Sequence, residues 1–449
     1  MSKQRIQLSD HFTYSRLLRF VLPCIGTMLF TSIYGIVDGL CVSNFVGKTA
    51  FAAVNLIMPL PMLLGTIGFM LGTGGSAIVG ITLGEGDQKK ADRYFTLFLL
   101  AALVSVSVLA VLGIVFLRPI AVLLGAKGEL LDYAVRYGRI LMVSLPTFAL
   151  QNMFQSFFVT AEKPHLGFWF TVGAGCTNMV LDVLMVGIWG WGVEGAAIAT
   201  FISQLVGGVL PVFYFIDRSN SSRLHLCKTS FYSKVLRDAC INGSSELMTN
   251  LSMSLVNILY NFQLLRLAGE NGVAAYGVIM YAAFLFVAVF VGYAVGSAPI
   301  VSFHYGARNH AEVHNLYRKS LRLIALVAVT LTLASMFIIP CVARIFVGYD
   351  AELLALTSRA FRLYALSFLI MGFNVYASSF FTALGDGVTS ALISFLRTLA
   401  FQVIAILLLP LLLGIDGIWL AVTAAELAAL AVSAAMLLTK DKVFHYRKA

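Results

Sequence analysis

Apolar residues run along this chain in long blocks separated by short polar clusters, and about twelve such blocks follow one another. They cover roughly residues 17–41, 51–81, 94–117, 131–159, 166–188, 193–215, 234–265, 272–304, 316–340, 352–382, 388–410 and 415–438. A helix of about 20 apolar residues crosses the hydrocarbon core of a bilayer. Inside lipid the backbone must satisfy its own N–H and C=O groups, so each block is predicted to be a helix. Several blocks exceed the minimum length, which predicts tilt or projection beyond the membrane. The separators carry turn-forming residues at Gly84–Gly86, Gly125–Gly128, Lys163–Pro164, Gly190–Gly192, Gly385–Gly387 and Gly414.

Composition narrows the class. Of 449 residues 59% are hydrophobic and 12% charged, and the mean hydropathy is +0.90. Soluble domains carry about 25% charge, so the expectation is an all-α polytopic membrane protein. The opening MSKQRIQLSDHFTYSR is polar and lacks the pattern of a cleavable signal peptide. The six cysteines are scattered without a C-x-x-C pair, and the seven histidines show no zinc spacing. His310 and His314 lie in a polar loop and read as exposed side chains, so neither a metal site nor a disulfide framework is expected.

The net charge of +10 changes meaning once it is mapped onto the blocks. Of the 31 basic residues, 21 fall in the two tails and in alternate loops, all on one side of the membrane. That excess predicts both termini in the cytoplasm, consistent with an even number of spans. It is a topology signal for a plasma-membrane protein, and no nucleic-acid partner is expected.

The chain also repeats itself. At a shift of 222 residues GKTAFAAVNLIM (47–58) falls on GENGVAAYGVIM (269–280), Ile78-Val79 on Ile300-Val301, and Glu194-Gly195 on Asp416-Gly417. At 223, Glu129-Leu-Leu falls on Glu352-Leu-Leu, Arg136 and Arg139 on Arg359 and Arg362, and Ser156-Phe-Phe on Ser379-Phe-Phe. The expected architecture is twelve transmembrane helices in two pseudo-symmetric six-helix lobes around a central cleft. Six spans per repeat make the repeat parallel, related by an axis along the membrane normal. The lobes are 1–216 and 234–449, joined by a polar cytoplasmic linker at 217–233. This design points to alternating access. A membrane enzyme would need clustered ligands or nucleophiles, and a transferase an acid cluster at a membrane face; neither stands in the sequence.

Charges inside the blocks mark candidate chemistry. Asp38 interrupts the first block and Asp182 the fifth, and a carboxylate in a span is a functional-site candidate because it costs about 2.5–3.5 kcal/mol at mid-depth. Asn178 and Asp182 are four apart and share a helix face. A carboxylate supplies charge, and an amide oxygen can coordinate a hard cation or hold a protonated acid. The structural alternative for this pair is an interhelical polar clamp. Arg397 lies within the eleventh block, where it either pairs with an acid or faces the cleft. Glu194, Asp416 and Glu426 read as helix-end or structural acids.

These residues resemble the multidrug and toxic compound extrusion (MATE) family along essentially the whole chain. The likeness rests on Pro23 followed by Asp38, the segment Gly47…Ala52-Ala53, N-M-V-L-D (178–182), and the pair G-V-E-G-A-A (192–197) and G-I-D-G-I-W (414–419). The short ends and the loop GEGDQKKADRY are similar to the MepA-like bacterial branch. The resemblance implies a monomeric antiporter, without a cofactor, that exports cationic amphiphilic drugs against an inward flow of protons or, alternatively, sodium. It implies a first-lobe cation site of Asp38, Tyr137, Gln151 or Asn152, Asn178, Asp182 and Thr200. Glu246 in the seventh span is implied as a second-lobe candidate, with Asn374 standing in the tenth span where a sodium-type branch has an acid.

The substrate cleft is expected between spans 1, 2, 7 and 8. Met28, Phe30, Tyr34, Met58 and Met62 would line one side, with Met248, Met253, Tyr276, Met280, Tyr281 and Phe284 on the other. Thioethers and aromatic faces suit varied hydrophobic cations. The competing readings are a lipid-linked precursor flippase of the same superfamily, which would want a strongly basic cleft, and the integral-membrane transferase.

Overall fold

The structure, a computed structural model, describes residues 6–46, 48–348 and 350–447, with the side chains of 36, 38–45, 48, 51 and 345 outside the described set. Asp38, the first acid singled out in the sequence, is among those side chains.

Each apolar block is helical. The first six spans are α1 (Tyr14–Phe45); α2 (Lys48–Ile57) with α3 (Pro59–Gly84); α4 (Gln88–Leu123); α5 (Glu129–Thr160); α6 (Pro164–Leu181), which runs on as a π-helix over Asp182–Ile188; and α7 (Gly192–Gly208) with α8 (Leu210–Ile216). The second six begin with α9 (Ser233–Gly306), 74 residues that form two spans, because Gly269 breaks the helix with φ 61°. There follow α10 (His310–Val347), then α11 (Ala351–Ala365) and α12 (Phe368–Ala383) bent by 45°. The eleventh span is α13 (Gly387–Phe395), a π-helical turn at Leu396–Ala400 and α14 (Phe401–Leu413); α15 (Ile415–Thr439) is the twelfth, and the short α16 (Asp441–Phe444) ends the chain.

By length and apolarity alone nine of the described helices qualify as spans, or ten with the bent pair. The difference from twelve has two causes. The long α9 counts once, and α5 falls short because charges occupy its first turns and Gln151, Asn152 and Gln155 lower the apolarity of the remainder.

The sequence repeat is a repeat of backbone. Positive φ, which favours glycine, recurs at Gly86 and Arg308, at Glu162 and Gly385, and at Gly192 and Gly414. These pairs keep the 222–223 shift. Helix caps recur with it: Asp87 accepts from Lys90 N at 3.0 Å, and Asn309 accepts from Glu312 N at 3.1 Å. Each cap satisfies an otherwise orphaned N–H of the first turn.

The halves meet along α1 and α3 on one side and α9 on the other. Glycine allows the contact. A Cβ on Gly74 would lie 2.1 Å from the Ala239 carbonyl oxygen, and one on Gly84 2.0 Å from that of Phe303. The closest approaches lie between mid-helix and the end that carries both termini. Towards the other end Met62, Met253, Tyr281 and Phe284 are exposed. The halves therefore seal towards the terminus end.

The N-terminal segment closes that end. Leu8 and Phe12 are fully buried. Leu8 N donates to Glu162 Oε1 of the first half at 2.9 Å, and Phe12 N donates to Glu312 Oε1 of the second half, also at 2.9 Å. His11 Nδ1 lies 2.6 Å from Glu312 Oε2, and Lys319 Nζ donates to the Phe12 carbonyl at 2.7 Å. Arg223, between α8 and α9, donates to Glu162 Oε1 at 2.6 Å while its guanidinium lies 4.8 Å from the Phe303 ring centroid.

Candidate functional site

The fifth span carries the acid of the first half. α6 begins at Pro164, which suits a first helical position, and its regular hydrogen bonding ends at Leu181. Asp182 is the first residue of the π-helix and is fully buried. An extra residue in a turn re-aims side chains, and such bulges are common at functional sites. Asn178, one turn back, is buried as well.

The neighbouring helices bring further polar groups. On α5, Tyr137, Gln151 and Asn152 are all buried. α5 and α7 touch where a Cβ on Gly207 would fall 2.7 Å from Gln151 Cδ. Thr200 on α7 is partly buried, and its hydroxyl donates to the Ala196 carbonyl at 3.0 Å. The Nδ2 atoms of Asn152 and Asn178 and Oε1 of Gln204 are buried and make no hydrogen bond to a described residue. Buried polar groups of this kind call for an explanation, because most are satisfied. Gln204 was not among the residues singled out in the sequence; its signal is a lone amide in an apolar helix. α1, which bears Asp38, packs against α6 and its π-helical extension, and Gly175 gives room for Phe30 and Tyr34.

In the second half Glu426 is not a helix-end acid. It sits within α15, 1% exposed. Its Oε1 is 3.3 Å from Arg397 Nε, and its Oε2 accepts from Asn374 Nδ2 at 2.7 Å. Arg397 thus pairs with an acid, the first of the two placements open in the sequence. The polar partner of Asn374 comes from the twelfth span, a contact that sequence spacing alone does not show. Glu246 on α9 is partly buried. Glu194 and Asp416 do lie near helix starts, where each meets an arginine, Arg136 at 3.5 Å and Arg359 respectively.

The residues expected to line the cleft divide by exposure. Met62, Met253, Tyr281 and Phe284 are exposed, and Met28, Tyr34, Met58, Met248 and Met280 are partly buried. Tyr276 is buried, stacked on Tyr260 with ring centroids 4.9 Å apart. It packs the second half internally.

Comparison with known proteins adds to this geometry. A family model described as MatE matches residues 23–184 and again residues 247–408. The chain is similar to the multidrug export protein MepA of Staphylococcus saprophyticus, 20% identical over 434 residues that span 96% of this chain and 95% of that protein. The MepA of Staphylococcus aureus strain MSSA476 is 21% identical over 441 residues, with the same coverage. Among solved structures, one described as the outward-facing conformation of a multidrug resistance MATE family transporter of the MOP superfamily superposes with a TM-score of 0.91 at 23% identity, over 100% of both chains. A MATE crystal structure in the bent conformation gives 0.88 at 22%, over 99% of each. At these identities the solved structures speak for the fold.

Proposed function

Because this chain belongs to the MatE family of membrane transporters, we propose that it is a multidrug exporter of cationic amphiphilic compounds that exchanges them for inward-moving protons, with sodium as the second candidate ion. The observation that carries the reading is Asp182, fully buried where α6 becomes a π-helix. Asn178 one turn before it, with Asn152 on α5 and Gln204 on α7, carries amide atoms that no described residue satisfies. Burial disfavours the charged form of a carboxyl, so a loaded cation stabilises the site and its release destabilises it. Asp38 would complete the site from α1, with Tyr137, Gln151 and Thr200 as its wall. The lobes on either side of the 217–233 linker would rock about the glycine seam, alternately opening the cleft.

The bias of lysine and arginine favours a cytoplasmic terminus end, and with that orientation a seal there corresponds to an outward-open state. The exposed methionines and aromatics of α3 and α9 would then accept the compound by dispersion and cation–π contact. The pairing of Arg397 with Glu426 speaks against a flippase, which would need that base free for a diphosphate.

Ethidium efflux from cells making the chain tests this. Wild type should extrude the dye, and Asp182→Asn should slow efflux by an order of magnitude or more at equal expression. Wild type that extrudes no cationic dye would end the drug-export reading. Repeating the assay in everted vesicles with and without sodium identifies the ion: collapse of dye transport with the pH gradient means protons, and dependence on added sodium means sodium.

A further inference from the structure

The second lobe holds a charge cluster that this coupling scheme leaves unused. Arg397 lies in the π-helical turn at Leu396–Ala400, and its side chain is 14% exposed while that of Glu426 is 2% exposed. Asn374 Nδ2 donates to both Oε2 and the carbonyl of Glu426, at 2.7 and 2.9 Å, and Ser433 Oγ donates to Asn374 Oδ1 at 2.9 Å. A base at membrane depth is as costly as an acid, so its presence there needs a cause.

The repeat supplies one. The fourth and tenth spans align at a shift of 223, as do the helix starts Pro164 and Gly387 of the fifth and eleventh. The sixth and twelfth align at 222 through Gly192 and Gly414, which share a positive φ. In that register Asn374 stands where the first lobe has Gln151, Glu426 where it has Gln204, and Arg397 where it has Ala174. Asn178 and Asp182 are replaced in turn by Phe401 and Ala405. Among the described residues each lobe therefore buries one acid within a span, Asp182 or Glu426, but the acid has moved from the fifth helix of the repeat to the sixth. The matching positions of the first lobe supply no base. The second lobe supplies one at ion-pair distance.

We propose that Arg397 is the resident cation of the second lobe, a tethered guanidinium that occupies Glu426 permanently and so confines exchangeable cation binding to the first lobe. A mobile proton or sodium ion at Glu426 would have to displace a charge that cannot diffuse away, since a tether keeps the effective concentration of its group high. This makes Arg397 a specificity-determining residue for which lobe senses the ion. The inference rests on the reading of Asp182 as the exchanging acid. Glu246 is a further acid within a second-lobe span, so the test has to tell the two apart.

The test counts bound cations on the purified full-length chain. Sodium is read with radioactive sodium in a scintillation proximity assay, and a bound proton by the C=O stretching band of a protonated carboxyl in infrared spectra at neutral pH. Arg397→Gln should gain one cation per chain over wild type, in one assay or the other. Adding Glu426→Gln should remove the gain, and adding Glu246→Gln should leave it. A folded Arg397→Gln chain without the gain overturns the proposal, and so does a gain that depends on Glu246. A second arm leaves Arg397 in place, so it does not depend on whether Arg397→Gln folds. Asp182→Asn should then retain no exchangeable cation. A cation that remains and vanishes with Glu426→Gln overturns the proposal, whereas one that remains regardless of Glu426 overturns the assignment of Asp182 instead.

Discussion

The two lobes differ least at their surfaces and most in their interiors. Arg136 with Glu194 and Arg359 with Asp416 are the same ion pair made twice, each tying the start of the fourth helix of the repeat to the start of the sixth. The caps Asp87 and Asn309 are likewise equivalent. Inside, one lobe buries Asp182 within its fifth helix, and the other buries Glu426 within its sixth and faces it with Arg397. The lesson is that duplication kept what positions the helices and let the pocket chemistry diverge. A buried acid can be stabilised by something that leaves or by something that stays, and on the proposed reading the two lobes represent these two solutions.

The largest departure from this picture should come from Glu426→Ala. Removing one partner of a buried pair strands the other charge, at a cost of about 3–5 kcal/mol. Thermal unfolding in detergent should show a large drop, and the double change Arg397→Gln with Glu426→Gln should recover most of it. A small drop in the single variant would mean that Arg397 finds water, and the lobes would differ less than argued.

Next in size is Asn374→Ala, which takes a hydrogen bond from Glu426 and leaves Ser433 without its acceptor, for about 1–3 kcal/mol. Its counterpart Gln151→Ala should cost less in stability and more in dye efflux. Equal losses in both readouts would erase the distinction between a structural and an exchanging pocket.

A smaller effect separates the caps of the fifth and eleventh spans. Asp386 caps α13, accepting from Thr389 N at 3.2 Å and Thr389 Oγ1 at 2.8 Å, and it pairs with Lys440 Nζ at 2.8 Å. Burial opposes its charge, but Lys440 and Thr389 outweigh burial and hold the carboxyl below its usual range. A depressed folded-state pKa means that the stabilisation is complete above the ordinary carboxylate value of about 3.9 and is lost as pH falls through the lower folded value. Asp386→Ala should cost about 1 kcal/mol at pH 7, and the gap from wild type should close under acid. Lys163, at the matching position of the first lobe, makes no such cap, so Lys163→Ala should show no acid-dependent gap.

The smallest effects are expected from Glu194→Gln and Asp416→Asn. Exposed pairs contribute about 0–1 kcal/mol, and the two variants should be alike within error. Unequal losses in unfolding experiments would break the symmetry where it is now strongest.

Much of this was legible in the sequence because lipid enforces a simple rule. Long apolar blocks must be helices, and Gly86, Gly125, Gly192, Gly385 and Gly414 do stand at turns with positive φ. The break between the seventh and eighth blocks is Gly269. Other features lie outside what apolarity records. The π-helical turns at Asp182 and Arg397 depend on hydrogen-bond register, and the bend between α11 and α12 on local geometry. Arg397 and Glu426 showed their charges in the sequence but not each other, because their spacing is set by the packing of separate helices. Glu426 read as a helix-end or structural acid for that reason, and its pairing with Arg397 removes only the first of these.

The anchoring of residues 6–13 has a practical corollary. Because that short strand is laced to Glu162 on one lobe and Glu312 on the other, any parting of the bundle at the terminus end has to unpick it first. A reporter placed on this leader would sit astride the moving joint, so its environment should change with every cycle, and a bulky fusion there would hold the joint ajar.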